Sequence, residues 1–226
     1  MKKVNDLIYN MADIGIAFLL VFLSLPVSVF AAILVKLDSP GPVFYLQERY
    51  GKNKKKFLMY KFRTMKTNSE DSVPVWGKEN DPRSSRIGKL LRVSHIDELP
   101  QLINVIRGQM SLVGPRPERP YFAEIFEVIL PNYAKRYQVK PGLTGWAQVN
   151  GLRGDSSVEE RLEFDLYYMR KNSLIFYLQI IFLTSLVKPV KKKIEAVIEY
   201  VQPLVFSQNA EVEAGNIPFM VPIRNA

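Results

Sequence analysis

The chain is 226 residues long, with 47% hydrophobic and 23% charged residues and a formal net charge of +9. That length suits one catalytic domain with an attached segment, and that hydrophobic content excludes a disordered chain. There is no cysteine, which excludes disulfide frameworks and thiolate metal sites. The basic balance suggests a partner that carries phosphates (nucleic acid, anionic lipid or a nucleotide), with a solvated basic surface as the alternative.

From Ile14 to Val35 the sequence reads IGIAFLLVFLSLPVSVFAAILV. It holds no charge and is close in length to the ~20 residues that cross a bilayer as one helix. No small-residue cleavage site precedes a clear mature start, so the segment is expected to be retained. Pro26 lies near its middle, where it removes a backbone donor and pushes Leu25 away from the helical region. Ser24 and Ser28 are placed to satisfy the freed groups. Lys2 and Lys3 precede the segment; Lys36, Arg49, Lys52, Lys54, Lys55 and Lys56 follow it. Positive charge marks the cytoplasmic side, and here it marks both ends. Two arrangements stand open: a spanning helix with Met1 outside, and a re-entrant hairpin bent at Pro26 with both ends inside.

Pro40, Gly41 and Pro42 end that helix. Residues 43–47 and 57–62 are apolar-aromatic runs flanking a basic turn that contains Gly51, and predict a β-hairpin. Residues 67–86, with Pro74, Gly77 and Pro82, read as a loop. Residues 87–92 are a short helical piece, and 99–107 predict a helix with Leu99, Leu102, Ile103 and Ile106 on one face. Residues 121–138 are helical in pattern but interrupted at Pro131. Residues 140–154 are glycine-rich and read as a loop; 158–170 are helical. Residues 174–187 are nearly uncharged, too short to span, and followed by Lys188 and three further lysines. That pattern suits a helix in the interface of an anionic bilayer, with a buried core helix as the other reading. Residues 194–226 form a tail of weak helical pattern through which the chain could self-associate.

The phosphate-binding loop, the dinucleotide fingerprint, the zinc-protease helix motif and the nucleophile elbow are all absent from the sequence. His95 is the only histidine, which leaves carboxylates as candidates for nucleophile and metal ligand. Asp97 and Glu98 stand at a helix start in SHIDELPQL. They read either as ordinary caps or as a carboxylate aimed at a phosphorus, since Asp can form an acyl phosphate. In GPRPE, two prolines clamp Arg116, and a rigid guanidinium can grip a phosphate with two parallel hydrogen bonds; a surface arginine in a kinked loop is the plainer reading. On a strand, Lys61 and Arg63 share one face, either to meet a diphosphate or as a solvated edge. PGLTGWAQVNG offers backbone donors, Trp146, and the amides Gln148 and Asn150, suitable for a base and ribose.

Taken in order, GPVFYLQERYG, YKFRTM, DPRSSRIGKLLR, DELPQLINVIRGQMSLVGPRPE, KPGLTGWAQVNG and EFDLYY resemble the bacterial sugar transferase family, the monotopic polyprenyl-phosphate phosphoglycosyl transferases. The likeness runs from the membrane segment to about Val187. It implies a helix-rich α+β fold with an N-terminal re-entrant membrane helix bent at Ser24 and Pro26, a small β-hairpin and interfacial amphipathic helices. The implied organisation is a membrane segment over 1–37, a catalytic domain over 38–193 and a tail of unknown role over 194–226. The implied reaction moves a phospho-sugar from a UDP-sugar to polyprenyl (undecaprenyl) phosphate, releasing UMP, on the cytoplasmic face of the inner membrane. It is the first membrane step in building capsule, O-antigen, exopolysaccharide or glycoprotein glycans.

By the same resemblance Asp97 is the nucleophile and Glu98 its partner, and both are expected ligands of a required Mg2+. Lys61, Arg63, Arg86, Arg116, Gln148 and Asn150 are expected to bind substrate. The competing reading is a membrane-anchored basic domain that binds nucleic acid or anionic lipid without catalysis. It accounts for the charge but not for DELPQL and GPRPE lying so near each other, so no nucleic-acid partner is expected; a homo-oligomer stays open. The sequence departs from the family at Leu25, where a serine often precedes the proline, and at His95, where a small hydroxyl residue is usual. Lys171-Asn172-Ser173 lacks the usual tryptophan. A multi-span N-terminal domain is absent, which points to a minimal form.

Overall fold

The computed structural model describes residues 2–66, 76, 81–154, 156–171 and 173–184, with side chains from Leu7 onward. Met1–Leu183 form one compact unit. The expected tail, the lysines after residue 187 and most of the expected loop over 67–86 lie outside the described residues.

The first helix, α1 (Lys2–Asp38), carries Pro26 inside it. Its stretch Leu7–Asp38 is long and apolar enough to cross a membrane. The interruption expected at Pro26 meets a helix that continues through that residue. Ser24 Oγ donates to the Val21 carbonyl (3.4 Å), one residue before the Phe22 carbonyl that the proline leaves without its i−4 donor, so it does not supply the expected partner. One stripe of α1 is buried, at Asp13, Ala17, Ala31 and Val35, residues that helical spacing puts on one face. Between Ala17 and Ala31 no residue is buried, and Phe18, Phe22, Leu23 and Phe30 are more than half exposed.

The hairpin pairs β1 (Phe44–Tyr50) with β2 (Lys56–Phe62), antiparallel, from Phe44 opposite Phe62 to Tyr50 opposite Lys56. β1 outruns the expected 43–47 because its polar end finds partners: Glu48 pairs with Lys56 (2.9 Å), and Arg49 donates to the Pro117 carbonyl (3.1 Å). Phe62 packs with Ala31, Val35 and Leu91 in a small core at the end of α1.

Helix α2 (Arg86–Ser94) starts at Ser85, whose Oγ accepts the Gly88 N–H (2.9 Å), an ordinary hydroxyl cap. Gly88 lies flat on Thr64, where a Cβ would fall 2.0 Å from the Thr64 carbonyl oxygen. The helix ends at His95, in the left-handed region (φ 57°). A 3-10 turn over Ile96–Glu98 leads into α3 (Gln101–Ile106), shorter than the expected 99–107 because Leu99 and Pro100 form a turn between the two. Within α3, Asn104 is fully buried. Its Oδ1 accepts the Tyr60 N–H (3.0 Å) and its Nδ2 donates to the Leu58 carbonyl (2.7 Å), so one side chain stands in for a third strand beside β2.

Two three-residue strands, β3 (Ser111–Val113) and β4 (Gly142–Thr144), form a parallel pair. The connection between them holds α4 (Pro120–Ile129) and a 3-10 stretch over Tyr133–Gln138, separated as expected near Pro131, with Asn132 left-handed (φ 68°). The expected loop over 140–154 thus contains β4 and a short helix, α5 (Trp146–Val149); three residues are too few to show the alternation that announces a strand. Helix α6 (Val158–Lys171) closes a second core of Tyr50, Ala123, Tyr133, Tyr137 and Leu162. The last described helix, α7 (Leu174–Thr184), has two apolar faces. Tyr177 and Ile180 are buried, whereas Ile175 is 72% exposed and Phe182 64%. The core-helix reading therefore describes one side of it, and the other side presents exposed apolar residues.

Candidate active site

Asp97 and Glu98 lie in the turn between α2 and α3, and neither caps a helix: no side chain caps this turn or α3. Asp97 is only 6% exposed. Its Oδ1 is buried with no hydrogen-bond partner. Burial pushes its pKa up to about 6, against the pull of Lys61. Glu98 goes the other way. Burial acts to raise it, but Arg116 and Lys61 hold it well below the usual range. Glu98 Oε1 receives Arg116 Nη2 at 2.5 Å and Lys61 Nζ at 3.0 Å. Two adjacent carboxylates are thus driven apart, one firmly ionised and one poised, which is the signature of a division of labour at a catalytic centre.

Lys61 comes from β2, aligned by the Asn104 side chain on the adjacent residues. Arg116 comes from the loop after β3, and that loop is fixed at every residue. Gly114 N–H donates to Thr144 (2.9 Å), Gly142 N–H to the Pro115 carbonyl (2.9 Å) and Tyr50 N–H to the Glu118 carbonyl (3.1 Å). Arg136 Nη2 donates to the Arg116 carbonyl (2.9 Å) and Arg49 to that of Pro117. The approach requires glycine: a Cβ on Gly142 would sit 2.0 Å from the Gly114 nitrogen, and one on Gly145 2.3 Å from the Gly114 oxygen. Glu98 in turn raises the pKa of Arg116, so this guanidinium never gives up its charge.

Behind the loop lies a second ionic layer. Arg136 Nε meets Asp165 at 2.8 Å and its Nη1 donates to the Tyr133 hydroxyl at 2.6 Å; Arg161 meets Glu118 at 3.2 Å. All four charged groups are buried, and together they hold the carbonyl of Arg116 and the end of its loop.

Of the residues singled out from sequence, Asp97, Glu98, Lys61 and Arg116 converge. The others do not join them. β2 ends at Phe62, so the strand alternation that would pair Arg63 with Lys61 stops one residue short. Arg63 instead turns to the end of α1, where its Nη2 donates to the carbonyls of Ser39 (2.5 Å) and Val35 (3.4 Å) and its Nη1 to that of Pro40 (3.0 Å). A cation there complements the carbonyl end of the helix. Arg86 is exposed in the first turn of α2. Gln148 is buried and donates to the Leu143 carbonyl (3.2 Å), while Asn150 is exposed and donates to the Trp146 carbonyl (2.7 Å).

Sequence reasoning passed over Arg136 and Asp165, although Asp165 lies in EFDLYY. It also passed over Asp13, an acid beside the apolar run that turns out to be buried, and gave no role to Arg153, which meets His95.

Among the described residues no group of three or more histidine or acidic side chains gathers as a metal site. The pair nonetheless fits Mg2+, which commonly takes one or two carboxylates and completes its shell with water and substrate phosphates; the unpartnered Asp97 oxygen is a hard donor of the right kind. A bare carboxylate ringed by fixed cations draws in an anion and stabilises negative charge as it develops.

The bacterial sugar transferase family matches residues 4–191. The chain is 45% identical over 188 residues to a UDP-glucose:undecaprenyl-phosphate glucose-1-phosphate transferase of Escherichia coli strain K12, covering 81% of this chain and 40% of that protein. It is 43% identical over 174 residues to a UDP-N-acetylgalactosamine-undecaprenyl-phosphate N-acetylgalactosaminephosphotransferase of Aeromonas hydrophila, covering 76% and 41%. It is 44% identical over 165 residues to the exopolysaccharide production protein PSS of Rhizobium leguminosarum bv. phaseoli, covering 70% and 82%. The matched region spans about two fifths of the length of the first two relatives. On the extent of these matches, the chain belongs to the bacterial sugar transferase family.

Proposed function

We propose that this chain transfers a phospho-sugar from a UDP-sugar to undecaprenyl phosphate or a similar polyprenyl phosphate, releasing UMP, at the cytoplasmic face of the inner membrane. The observation that carries the reading is the Asp97 oxygen, buried without a hydrogen bond beside Lys61 and Arg116. A structural carboxylate would have its bonds made; this one is kept bare. The relatives' names support the substrate classes, and they differ in the sugar, so the proposal commits to a UDP-sugar and to no particular hexose.

In the first step an Asp97 oxygen attacks the sugar-linked phosphorus. The bond from that phosphorus to the bridging oxygen breaks, and UMP leaves with the oxygen and the bonding electrons. In the second step a phosphate oxygen of the lipid attacks the same phosphorus, the bond to Asp97 breaks, and the carboxylate is restored. Lys61 and Arg116 offset charge on the diphosphate, and Glu98 fixes both of them. Mg2+, held by Asp97 and Glu98 together with the donor phosphates, would supply Lewis-acid stabilisation.

The membrane path rests on α1. Asp13 and Ala17 near its start and Ala31 and Val35 near its end are all buried in the same compact unit, while the apolar residues between are exposed. That pattern supports a re-entrant path with both ends on the cytoplasmic side.

The test uses the purified full chain in nanodiscs. With a panel of UDP-sugars and Mg2+ but no lipid acceptor, one of them should release about one UMP per enzyme, as expected of a covalent intermediate, and add the mass of a phospho-sugar to the peptide containing Asp97. Lipid phosphate should then restore turnover, and EDTA should abolish it. Turnover that needs both substrates together and leaves no adduct would replace the two-step route by direct transfer; an absence of UMP release from every UDP-sugar would reject the reading.

A further inference from the structure

His95 and Arg153 have no part in the mechanism above, yet they meet at its edge. His95 joins α2 to the turn that carries Asp97, and its Nε2 lies 2.9 Å from Arg153 Nη1. Arginine has only donors, so the imidazole accepts, with its own proton on Nδ1. Arg153 Nε donates to the Gln148 carbonyl (3.3 Å). The guanidinium is therefore gripped on two sides by residues from two separate segments, while Nη2 makes no hydrogen bond among the described residues.

The surroundings of Arg153 are unusual for a structural arginine. Burial lowers its pKa, the charge of Arg116 lowers it further, and Glu98 alone opposes them. Arg153 therefore lies within electrostatic reach of a guanidinium of its own sign, with no carboxylate paired to it among the described residues. Arg92 also acts on Asp97, while its Nε is held by Thr64 Oγ1 (3.0 Å). Lys61, Arg92, Arg116 and Arg153 thus face two carboxylates, Asp97 and Glu98. Positive charge in excess, held by fixed contacts and partly out of water, calls for a multiply charged anion.

We propose that Arg153 is a further binding residue for the donor's diphosphate, and that His95 is a positioning residue that aims it. The inference rests on the proposed reaction and adds to it a third cationic arm, supplied from the segment that follows α5. It also gives a purpose to a bulky ring at a left-handed position (φ 57°), where asparagine would sit with less strain.

The experiment measures binding, so it does not depend on the covalent step. The full chain carrying Asp97→Asn is reconstituted in nanodiscs, and UDP, which has the diphosphate without a sugar, is titrated by calorimetry in the presence of Mg2+. Arg153→Ala should weaken UDP binding by ~10-fold or more, the scale of one charge-assisted hydrogen bond. His95→Asn keeps the left-handed turn but is too short to reach Arg153, and should give a smaller loss. His95→Gln, whose side-chain oxygen can accept from Nη1, should recover part of it. The double variant His95→Asn/Arg153→Ala should bind no worse than Arg153→Ala alone. In the otherwise wild-type enzyme, both single variants should raise the donor KM more than they lower kcat. UDP binding that survives Arg153→Ala unchanged, or losses from the two residues that simply add, would overturn the proposal while leaving the transferase reading intact. If the unsubstituted background binds neither UDP nor any UDP-sugar, the transferase reading falls and this inference falls with it.

Discussion

Asp13 in the first third of α1 accepts the hydroxyl of Tyr177 in α7 at 2.5 Å. The same oxygen accepts the Leu112 N–H of β3 at 2.8 Å. One turn earlier, Asn10 accepts from Lys140 Nζ (2.9 Å), just before β4. The start of α1 therefore grips β3 and the lead-in to β4, the short ladder from which the Arg116 loop departs. This helix is thus part of the frame that places the guanidinium.

Asp13→Ala would leave two donors unpaired in a setting where Tyr177 is 1% exposed and Leu112 4%. Each buried unpaired donor costs roughly 1–3 kcal/mol, so the variant should lose about 2–6 kcal/mol of stability. Asp13→Asn keeps an acceptor oxygen and should lose less. Thermal melts of the purified protein in nanodiscs read the difference, and UMP release should fall in the same order. A melt for Asp13→Ala that matches the wild type would show that these bonds do not hold the ladder.

Asp97 makes a prediction with two signs. Its pKa rises from 3.8 to about 6 on folding, chiefly through burial. A group raised in this way favours the folded state while protonated, and that contribution is lost as pH rises through the folded value. Above pH 6 the folded chain carries a buried anion at a cost on the order of 1–3 kcal/mol, at ~1.4 kcal/mol per pKa unit. Asp97→Asn removes the anion. It should therefore melt at a higher temperature than the wild type at pH 7.5 and at nearly the same temperature at pH 4. Turnover should fall by ~1000-fold or more, equivalent to about 4 kcal/mol of barrier. Wild-type turnover should decline as pH drops below 6. A variant that is both less stable at pH 7.5 and nearly as active would show that Asp97 serves the fold.

The residues of the site were easier to read from sequence than the bonds that hold them. Local pattern singled out Asp97 and Glu98 in DELPQL, Arg116 in GPRPE and Lys61 in the hairpin, but each beside a plainer reading as cap, surface arginine or solvated edge, and it was the family resemblance that chose between them. What local pattern could not show was distance between segments. Arg63 follows Lys61 by two residues, and alternation groups the two; the strand stops at Phe62, and the guanidinium goes to the end of α1. β3 and β4 are three residues each, too short for a period, and exist because Gly114 and Gly142 let two backbones touch. Asp13, Arg153 and Arg136 owe their roles to partners far away in the chain, which no spacing rule links. The path of α1 shows the same limit: flanking lysines left a spanning and a re-entrant arrangement open, the family resemblance implied the second, and burial at both ends of the helix is in keeping with it.

The pair Arg136–Asp165 offers a test of the buried ionic layer. Burial pushes the Asp165 carboxyl up and Arg136 opposes it, so the two depend on each other. Removing one partner of a buried pair strands the other charge and typically costs about 3–5 kcal/mol. Asp165→Asn should thus be strongly destabilising, and Arg136→Met more so, because the Tyr133 hydroxyl and the Arg116 carbonyl lose a donor as well. Urea unfolding of the solubilised chain measures both. If Asp165→Asn unfolds at the wild-type midpoint, the pair is dispensable and the loop is held by its backbone bonds alone.

Gly142→Ala separates the position of Arg116 from its chemistry. The added Cβ would fall 2.0 Å from the Gly114 nitrogen, 2.3 Å from the Thr144 oxygen and 2.6 Å from the Gly114 oxygen. All three are backbone atoms, so no side chain can swing away and the two strands must part. The bonds from Gly142 N–H to Pro115 and from Gly114 N–H to Thr144 would stretch, and the arginine would leave its place against Glu98 with its own chemistry unchanged. Overpacking of this kind typically costs about 1–3 kcal/mol of stability, which a folded chain can bear. The loss of activity should be larger, at least ~100-fold, since displacement of about 1 Å in a catalytic group can carry that penalty. Gly108→Ala is the control. That glycine would bring its Cβ only within 3.6 Å of the flexible end of Lys140 but has a positive φ of 72°, so it should cost stability and leave turnover close to normal. Equal turnover in Gly142→Ala and the wild type would mean that the Arg116 loop does not depend on the close contact of these two strands.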